Sequence, residues 1–199
     1  GDDAFQEAAE LEPLAEGDME QESILADVAR VVSTIHAGPN LPASFDAFRI
    51  VEEYRRVSEE RGVAIPAASG PAHAHAARIE AAFAVAPMPP RPCHNDLLAD
   101  NFLRGPHGFW LVDYEYSGMN EPSFELGDTI AEAALGEDAL AELCAAYYGR
   151  HDDALVARAE LWGWMARYGW TLWGMIQDGT SAIEFDFWQW SMDKLEPAQ

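Results

Sequence analysis

Asp96 and Asn101, in the segment CHNDLLADNFL, and Asp113 and Glu115, in FWLVDYEYSG, bring three carboxylates and one carboxamide into a single short stretch of chain. His94 stands two residues before Asp96. These residue types at this spacing suit phosphoryl transfer from ATP. That reaction asks little covalent chemistry of a protein: a carboxylate to orient or deprotonate the attacking hydroxyl, and oxygen donors that hold Mg²⁺ on the phosphates. Asp96 fits the first task. Asn101 and Asp113 fit the second, because Mg²⁺ takes hard oxygen ligands and keeps several waters.

The elements around these residues must fold Asp113 back towards Asn101. Phe102–Arg104 and Phe109–Val112 are short apolar runs flanking Gly105-Pro106-His107-Gly108, and predict a β-hairpin. Upstream, Pro87, Pro89, Pro90 and Pro92 impose an extended entry to the loop. Before them, helical periodicity from Ser23 through Ile35 ends at Gly38-Pro39, and two more helices are expected over residues 45–61 and 71–85. After a loop over residues 118–122, helices are expected over residues 124–134, 136–148, 152–178 and 181–195. The fold class is therefore mostly α with a small β-hairpin, most of it one unit. The first 22 residues hold nine acids and no base, and predict a solvated linker or a frayed start.

The chain has 199 residues, enough for one well-packed domain or a lobe of a larger protein, and 49% of them are apolar. Its formal net charge of −23 argues against nucleic acids and anionic membranes as partners and favours a cationic substrate. Cys93 and Cys144 form neither a disulfide framework nor a zinc pattern and fit a cytoplasmic setting. Cys93, beside His94, reads as a buried apolar residue leading into the loop rather than a nucleophile. No uninterrupted apolar run reaches membrane-spanning length. No Gly-rich phosphate loop occurs, and the single lysine, Lys194, lies in the final helix and in no strand.

His94-x-Asp96-x-x-x-x-Asn101 followed by Asp113 resembles the catalytic loop and metal aspartate of protein-kinase-like enzymes. With LVDYEYSGMNEPSFELG and WTLWGMIQDGTSAIEF, the chain from about Ile24 onwards is similar to the choline/ethanolamine kinase family, within the aminoglycoside-phosphotransferase-like group. The resemblance implies the C-terminal helical lobe of a kinase-like fold, with the N-terminal β lobe outside this chain. Residues 1–22 would be the linker and residues 23–199 the lobe, comprising a catalytic loop over 93–103, a metal-binding hairpin over 102–116 and a helical substrate-pocket region over 123–195. It implies ATP as phosphoryl donor and a small cationic alcohol, choline or ethanolamine, as acceptor.

Residue by residue, the resemblance implies Asp96 as catalytic base and Asn101 and Asp113 as Mg²⁺ ligands. Glu115 would be a further acid of the metal shell, and His94 a structural organiser of the loop. Tyr116, Glu132, Trp170 and Trp173 match positions lining the family's substrate pocket, and Phe187 and Trp190 fall where the family places aromatics. A quaternary ammonium is recognised by aromatic faces and carboxylates, which these residues offer. Glu125 stands where the family usually has Asp, one methylene shorter. A sibling kinase acting on an aminoglycoside or another hydroxyl would use the same machinery, and a non-catalytic kinase-like binding module would explain the missing phosphate loop. The oligomeric state stays open, a dimer included.

Overall fold

The computed structural model describes residues 11–67, 69–106 and 108–195, apart from the Glu16 side chain. They form two compact units: the chain up to Phe45 with Pro90–Gly163, and Asp46–Pro89 with Trp164 onwards. Sequence reading expected one unit. A long helix that enters one unit and continues into the other leaves no signature in hydrophobic periodicity, which reports a buried face but not the body that buries it.

In the first unit, β1 (Glu12–Pro13), helix α1 (Glu22–His36), β2 (Arg91–Cys93), the hairpin β3 (Phe102–Gly105) and β4 (Gly108–Leu111), β5 (Gly118–Asn120), α4 (Pro122–Glu132), α5 (Glu137–Tyr148) and the first part of α6 (Asp153–Thr180) share one core. The α1 stripe predicted from periodicity is the buried face: Ile24, Leu25, Val28 and Val32 are all in the core, joined by Leu97, Phe102, Leu126, Ile130, Leu140 and Leu143. Leu14 and Met19 are also fully buried there, and β1 pairs antiparallel with β3. The described part of the acidic opening stretch is thus packed rather than a solvated linker. Its few apolar residues alternate with acids that face solvent, so composition alone concealed them; residues 1–10 lie outside the described residues.

The hairpin closes in the predicted place, with Phe102 opposite Leu111 and Gly105 opposite Gly108. The stretch expected as a loop over residues 118–122 instead contains β5, which pairs antiparallel with β2 from Arg91↔Asn120 to Cys93↔Gly118. Three-residue strands separated by a whole loop and hairpin are invisible to local pattern reading. This ladder clamps both ends of the catalytic stretch.

The second unit contains α2 (Ala47–Arg61), α3 (Ser69–Val85), the remainder of α6, and α7 (Phe187–Leu195). Asp46 caps α2, accepting from the amides of Phe48 (3.1 Å) and Arg49 (3.2 Å), and Gly62 ends it in the left-handed region at φ 66°. Residues 181–186, expected as helix, are not helical; Asp186 Oδ1 accepts from the Gln189 amide at 2.9 Å, which starts α7 later. No described helix is long and apolar enough to cross a membrane.

In the first unit, α4 meets α6 backbone to backbone. A Cβ on Gly127 would lie 2.1 Å from the Ala159 carbonyl oxygen and 2.4 Å from the Gly163 amide. No side-chain rotation relieves a clash with backbone. Gly127→Ala is expected to cost about 3 kcal/mol or more in a urea melt followed by circular dichroism. A loss under about 1 kcal/mol would contradict this packing.

Candidate active site

The catalytic stretch is built on a buried carboxylate. Glu125, in the first turn of α4, is fully buried. Its Oε1 accepts the backbone N–H groups of His94 and Asn95, each at 2.7 Å, and its Oε2 lies 2.5 Å from Nε2 of His36. Glutamate therefore does hold the loop from the position where the resemblance leads one to expect aspartate. Its longer side chain spans from the loop amides to α1.

Those two hydrogen bonds leave Asn95 in the left-handed region at φ 68°. Asparagine tolerates that conformation better than most residues. Its side chain is also fixed: Nδ2 donates to the Tyr116 carbonyl at 3.0 Å, and Oδ1 accepts from Nδ2 of Asn120 at 2.8 Å. His94 is buried, and its Nε2–H donates to the Val112 carbonyl at 2.8 Å, tying the loop to the end of the hairpin. Val112 N–H returns a bond to the Asn101 carbonyl at 3.0 Å. Asp113 follows, in the left-handed region at φ 65°.

The outcome is that Asp96 and Asn101 stand together. Asn101 Nδ2 donates to the Asp96 carbonyl at 2.9 Å and reaches its carboxylate at 3.4 Å, which leaves Asn101 Oδ1 as the atom available to a cation. Asp96 is half-buried. Burial first, then the negative charges of Glu132 and Asp113, push its carboxyl up to about 6, with Glu115 adding to the push and Asn101 opposing it. Three acids from two parts of the chain, Asp113 and Glu115 after the hairpin and Glu132 at the end of α4, therefore act on Asp96, all of the same sign. A dication is the counter-charge this donor set suits, through Asn101 Oδ1 and the carboxylates of Asp113 and Glu115.

Of the residues expected at the site, His94, Asp96, Asn101, Asp113, Glu115, Tyr116 and Glu132 belong to the first unit. Trp170, Trp173, Phe187 and Trp190 belong to the second, where they form a cluster of edge-to-face rings. Trp173 lies 6.3 Å from Trp170, 6.0 Å from Phe187 and 5.8 Å from Trp190 between centroids. Phe187 is buried, while the three tryptophans keep partial exposure. Lys194 Nζ sits 4.5 Å above the Trp190 ring, so one face of this cluster already attracts an ammonium group. Trp162 is core: it is buried and donates Nε1–H to Glu121 Oε1 at 2.9 Å.

Sequence reading missed Asn95, Asn120 and His36 as organisers of the loop. His36 occupies a core position four residues after Val32, so in the sequence it looks like the frayed end of an amphipathic helix. Cys93 is buried, and burial raises its thiol far above the ordinary range, which leaves it no nucleophile. Among the described residues, His36, Cys93 and Glu125 are the one group of three or more His, Cys, Asp or Glu side chains whose ligand atoms lie close enough together to hold a metal ion. Ligands of one tetrahedral zinc ion stand roughly 3.3 Å apart, given bonds of about 2.0–2.1 Å. The 2.5 Å between His36 Nε2 and Glu125 Oε2 is a hydrogen bond instead.

Comparison with known proteins accords with this geometry. Residues 5–165 match the phosphotransferase enzyme family APH. The chain belongs to that family. A choline/ethanolamine kinase family protein from Mesorhizobium loti superposes on 96% of this chain and 66% of its own, with a TM-score of 0.88 and 28% identity. Rat (Rattus norvegicus) ethanolamine kinase 2 is 28% identical over 123 residues, which make up 50% of this chain and 31% of that protein. Protein LicA of Haemophilus influenzae is 45% identical over 49 residues, 25% of this chain and 18% of LicA. The chain thus spans less than a third of the length of these two sequence relatives and about two thirds of the solved one. Its fold is that of the helical C-terminal lobe of a choline-kinase-like phosphotransferase, mostly helix with small antiparallel sheets.

The charge on Asp96 opposes folding. Because its folded value of about 6 exceeds the ordinary 3.8, stability is fully present below about pH 4 and declines as pH rises through 6. Asp96→Asn is therefore expected to stabilise the cation-free chain by about 1–2 kcal/mol at pH 7, partial solvent access reducing the full effect. The gain should vanish near pH 4. Thermal melts of both proteins across this range check it, and equal stability at pH 7 would exclude the like-charge cluster.

Proposed function

We propose that this protein is the catalytic lobe of an ATP- and Mg²⁺-dependent phosphotransferase acting on the hydroxyl of a small cationic alcohol, choline or ethanolamine. The observation that carries the reading is the Asp96 carboxylate held beside Asn101 and raised by its burial first and then by the negative charges of Glu132, Asp113 and Glu115. Asp96 orients the substrate hydroxyl and accepts its proton as the new O–P bond forms and the bond from the γ-phosphorus to the bridging oxygen breaks, with ADP leaving. A carboxyl poised near 6 is ionised at neutral pH and still basic enough to take up that proton.

Mg²⁺ would be held by Asn101 and Asp113, with Glu115 as a further acid of its shell, and would supply positive charge to offset that of the phosphates. His94 acts through its bond to the Val112 carbonyl and takes no part in proton transfer. The acceptor's cationic end is drawn by the protein's −23 charge and suits aromatic faces, for which Trp170, Trp173, Phe187 and Trp190 of the second unit are candidates; Tyr116 and Glu132, of the first unit, are candidates by the resemblance alone. The names borne by the relatives support choline and ethanolamine over the sugars and aminoglycosides that other phosphotransferases use.

Assaying the full-length protein with ATP, Mg²⁺ and a panel of amino alcohols, aminoglycosides and sugars tests the reading. Choline or ethanolamine should give the highest kcat/KM, and Asp96→Ala should lower kcat by about 10²–10⁴-fold. Wild-type rates from that variant would sink the mechanism. Separately, Trp173→Ala should weaken choline binding about 3–30-fold in calorimetry. Unchanged affinity would remove the aromatic receptor and shift the substrate to another alcohol.

A further inference from the structure

The aromatic cluster of the second unit already holds a cation of its own. Lys194 is the only lysine among the 199 residues, in a chain with 35 acidic side chains. It stands one turn after Trp190 on α7, half-buried, and its Nζ lies 4.5 Å from the centroid of that ring. The adjacent Asp193 is engaged elsewhere, its Oδ1 accepting from Gln189 Nε2 at 2.7 Å. Lys194 thus carries its ammonium over an indole, well inside the range at which a cation is attracted to the ring quadrupole.

Trp190 is held in place from the facing helix. A Cβ on Gly174 would lie 2.8 Å from Cζ3 and 2.9 Å from Cε3 of Trp190, and 2.1 Å from Ser191 Oγ. The indole and Ser191 therefore rest on the α6 backbone at a position that only glycine leaves open. Trp190 also meets Trp173 at 66°, and Trp173 meets Trp170 at 86° and Phe187 at 75°. In such edge-to-face contacts the positive edge of one ring covers part of the negative face of another. The cluster has few faces left for an incoming cation, and Lys194 takes one of them.

On the phosphotransferase reading above, we propose that Lys194 is a specificity-determining residue: it occupies the Trp190 ring in competition with the ammonium of the acceptor alcohol, and so disfavours a quaternary ammonium relative to a primary one. A quaternary ammonium has no N–H to donate, so aromatic faces are its chief means of recognition and each face withheld weakens it. A primary ammonium keeps its N–H donors for carboxylates and carbonyls and loses less. Charge repulsion from Lys194 acts on both alike and leaves the ratio between them unchanged. Choline is the acceptor that Lys194 holds back, and ethanolamine the one it tolerates.

Lys194→Met keeps a stem of similar length and removes the charge. In the full-length protein it should raise the ratio of kcat/KM for choline to that for ethanolamine by about 3–10-fold, through KM. Lys194→Arg, whose guanidinium also seats on an indole, should leave that ratio within about twofold of wild type. An unchanged or lowered ratio in the Met variant overturns the proposal. So does an equal rise with Arg, which would mean altered packing rather than competition between cations.

The contact and the competition are also read without turnover. The Lys194 ε-methylene protons, assigned by their loss in Lys194→Met, should resonate upfield of the open-chain position in wild type and return towards it in Trp190→Leu. An open-chain position in wild type overturns the proposal. In calorimetry, tetramethylammonium should bind about 3–10-fold more tightly to the Met variant than to wild type or Lys194→Arg. Equal affinity, or no binding to any of the three, overturns it. If wild type transfers phosphate to neither alcohol, the function proposed above fails, while the tetramethylammonium series still decides whether Lys194 competes for the ring.

Discussion

A carboxylate at zero exposure is the constraint on which the first unit depends. Glu125 can remain buried only while N–H donors surround it, and the available donors are the amides of His94 and Asn95 and the ring of His36. Satisfying it forces two successive backbone amides to point the same way, which drives Asn95 into the left-handed region. Its place in the first turn of α4 adds the favourable field of the helix N-terminus. Everything that presents Asp96 follows from that turn. The β2–β5 ladder fixes the two ends of the stretch, and Gly127, two residues beyond Glu125, lets α4 approach α6 at backbone distance.

The two acidic neighbourhoods of this unit are handled in opposite ways. Glu121 is nearly buried and is matched by the Arg158 guanidinium, with Arg158 Nη2 2.7 Å from Glu121 Oε2, and by the Trp162 indole. That pair is a structural strut. Around Asp96 the named charges, those of Glu132, Asp113 and Glu115, are all negative, and the amide of Asn101 opposes them. A protein that merely needed a stable loop would not gather acids this way, since each adds to the cost of ionising Asp96.

Much of the arrangement was legible before any coordinates. The hairpin between Asn101 and Asp113 was readable because Gly105 and Gly108 punctuate two apolar runs, and strand pairing there is local. Helix α1 was readable because its buried stripe repeats at the helical period, and α2 because Gly62 marks its end. What failed was non-local or sparse. β5 is three residues long and pairs with a strand more than twenty residues earlier. Leu14 and Met19 are two apolar residues among acids, yet both are buried in the core of the first unit. Residues 181–186 carry helix-compatible types, but the Asp186 cap starts α7 later.

From sequence alone came the chemistry: a carboxylate, a carboxamide and a second carboxylate at a spacing that phosphoryl transfer uses, in a chain whose charge repels anions. Residue type and interval suffice for that, because catalytic roles depend on which atoms a side chain offers and a hairpin is a short-range object. Tertiary structure alone decided how those atoms are held. His36, Glu125 and Asn95 come from different elements, and their mutual hydrogen bonds exist only once α1, α4 and the loop are packed. Burial then converts an ordinary aspartate into one raised to about 6. Neither burial nor the convergence of distant polar groups has a local signature, since both are properties of the space between elements and not of the order of residues along them.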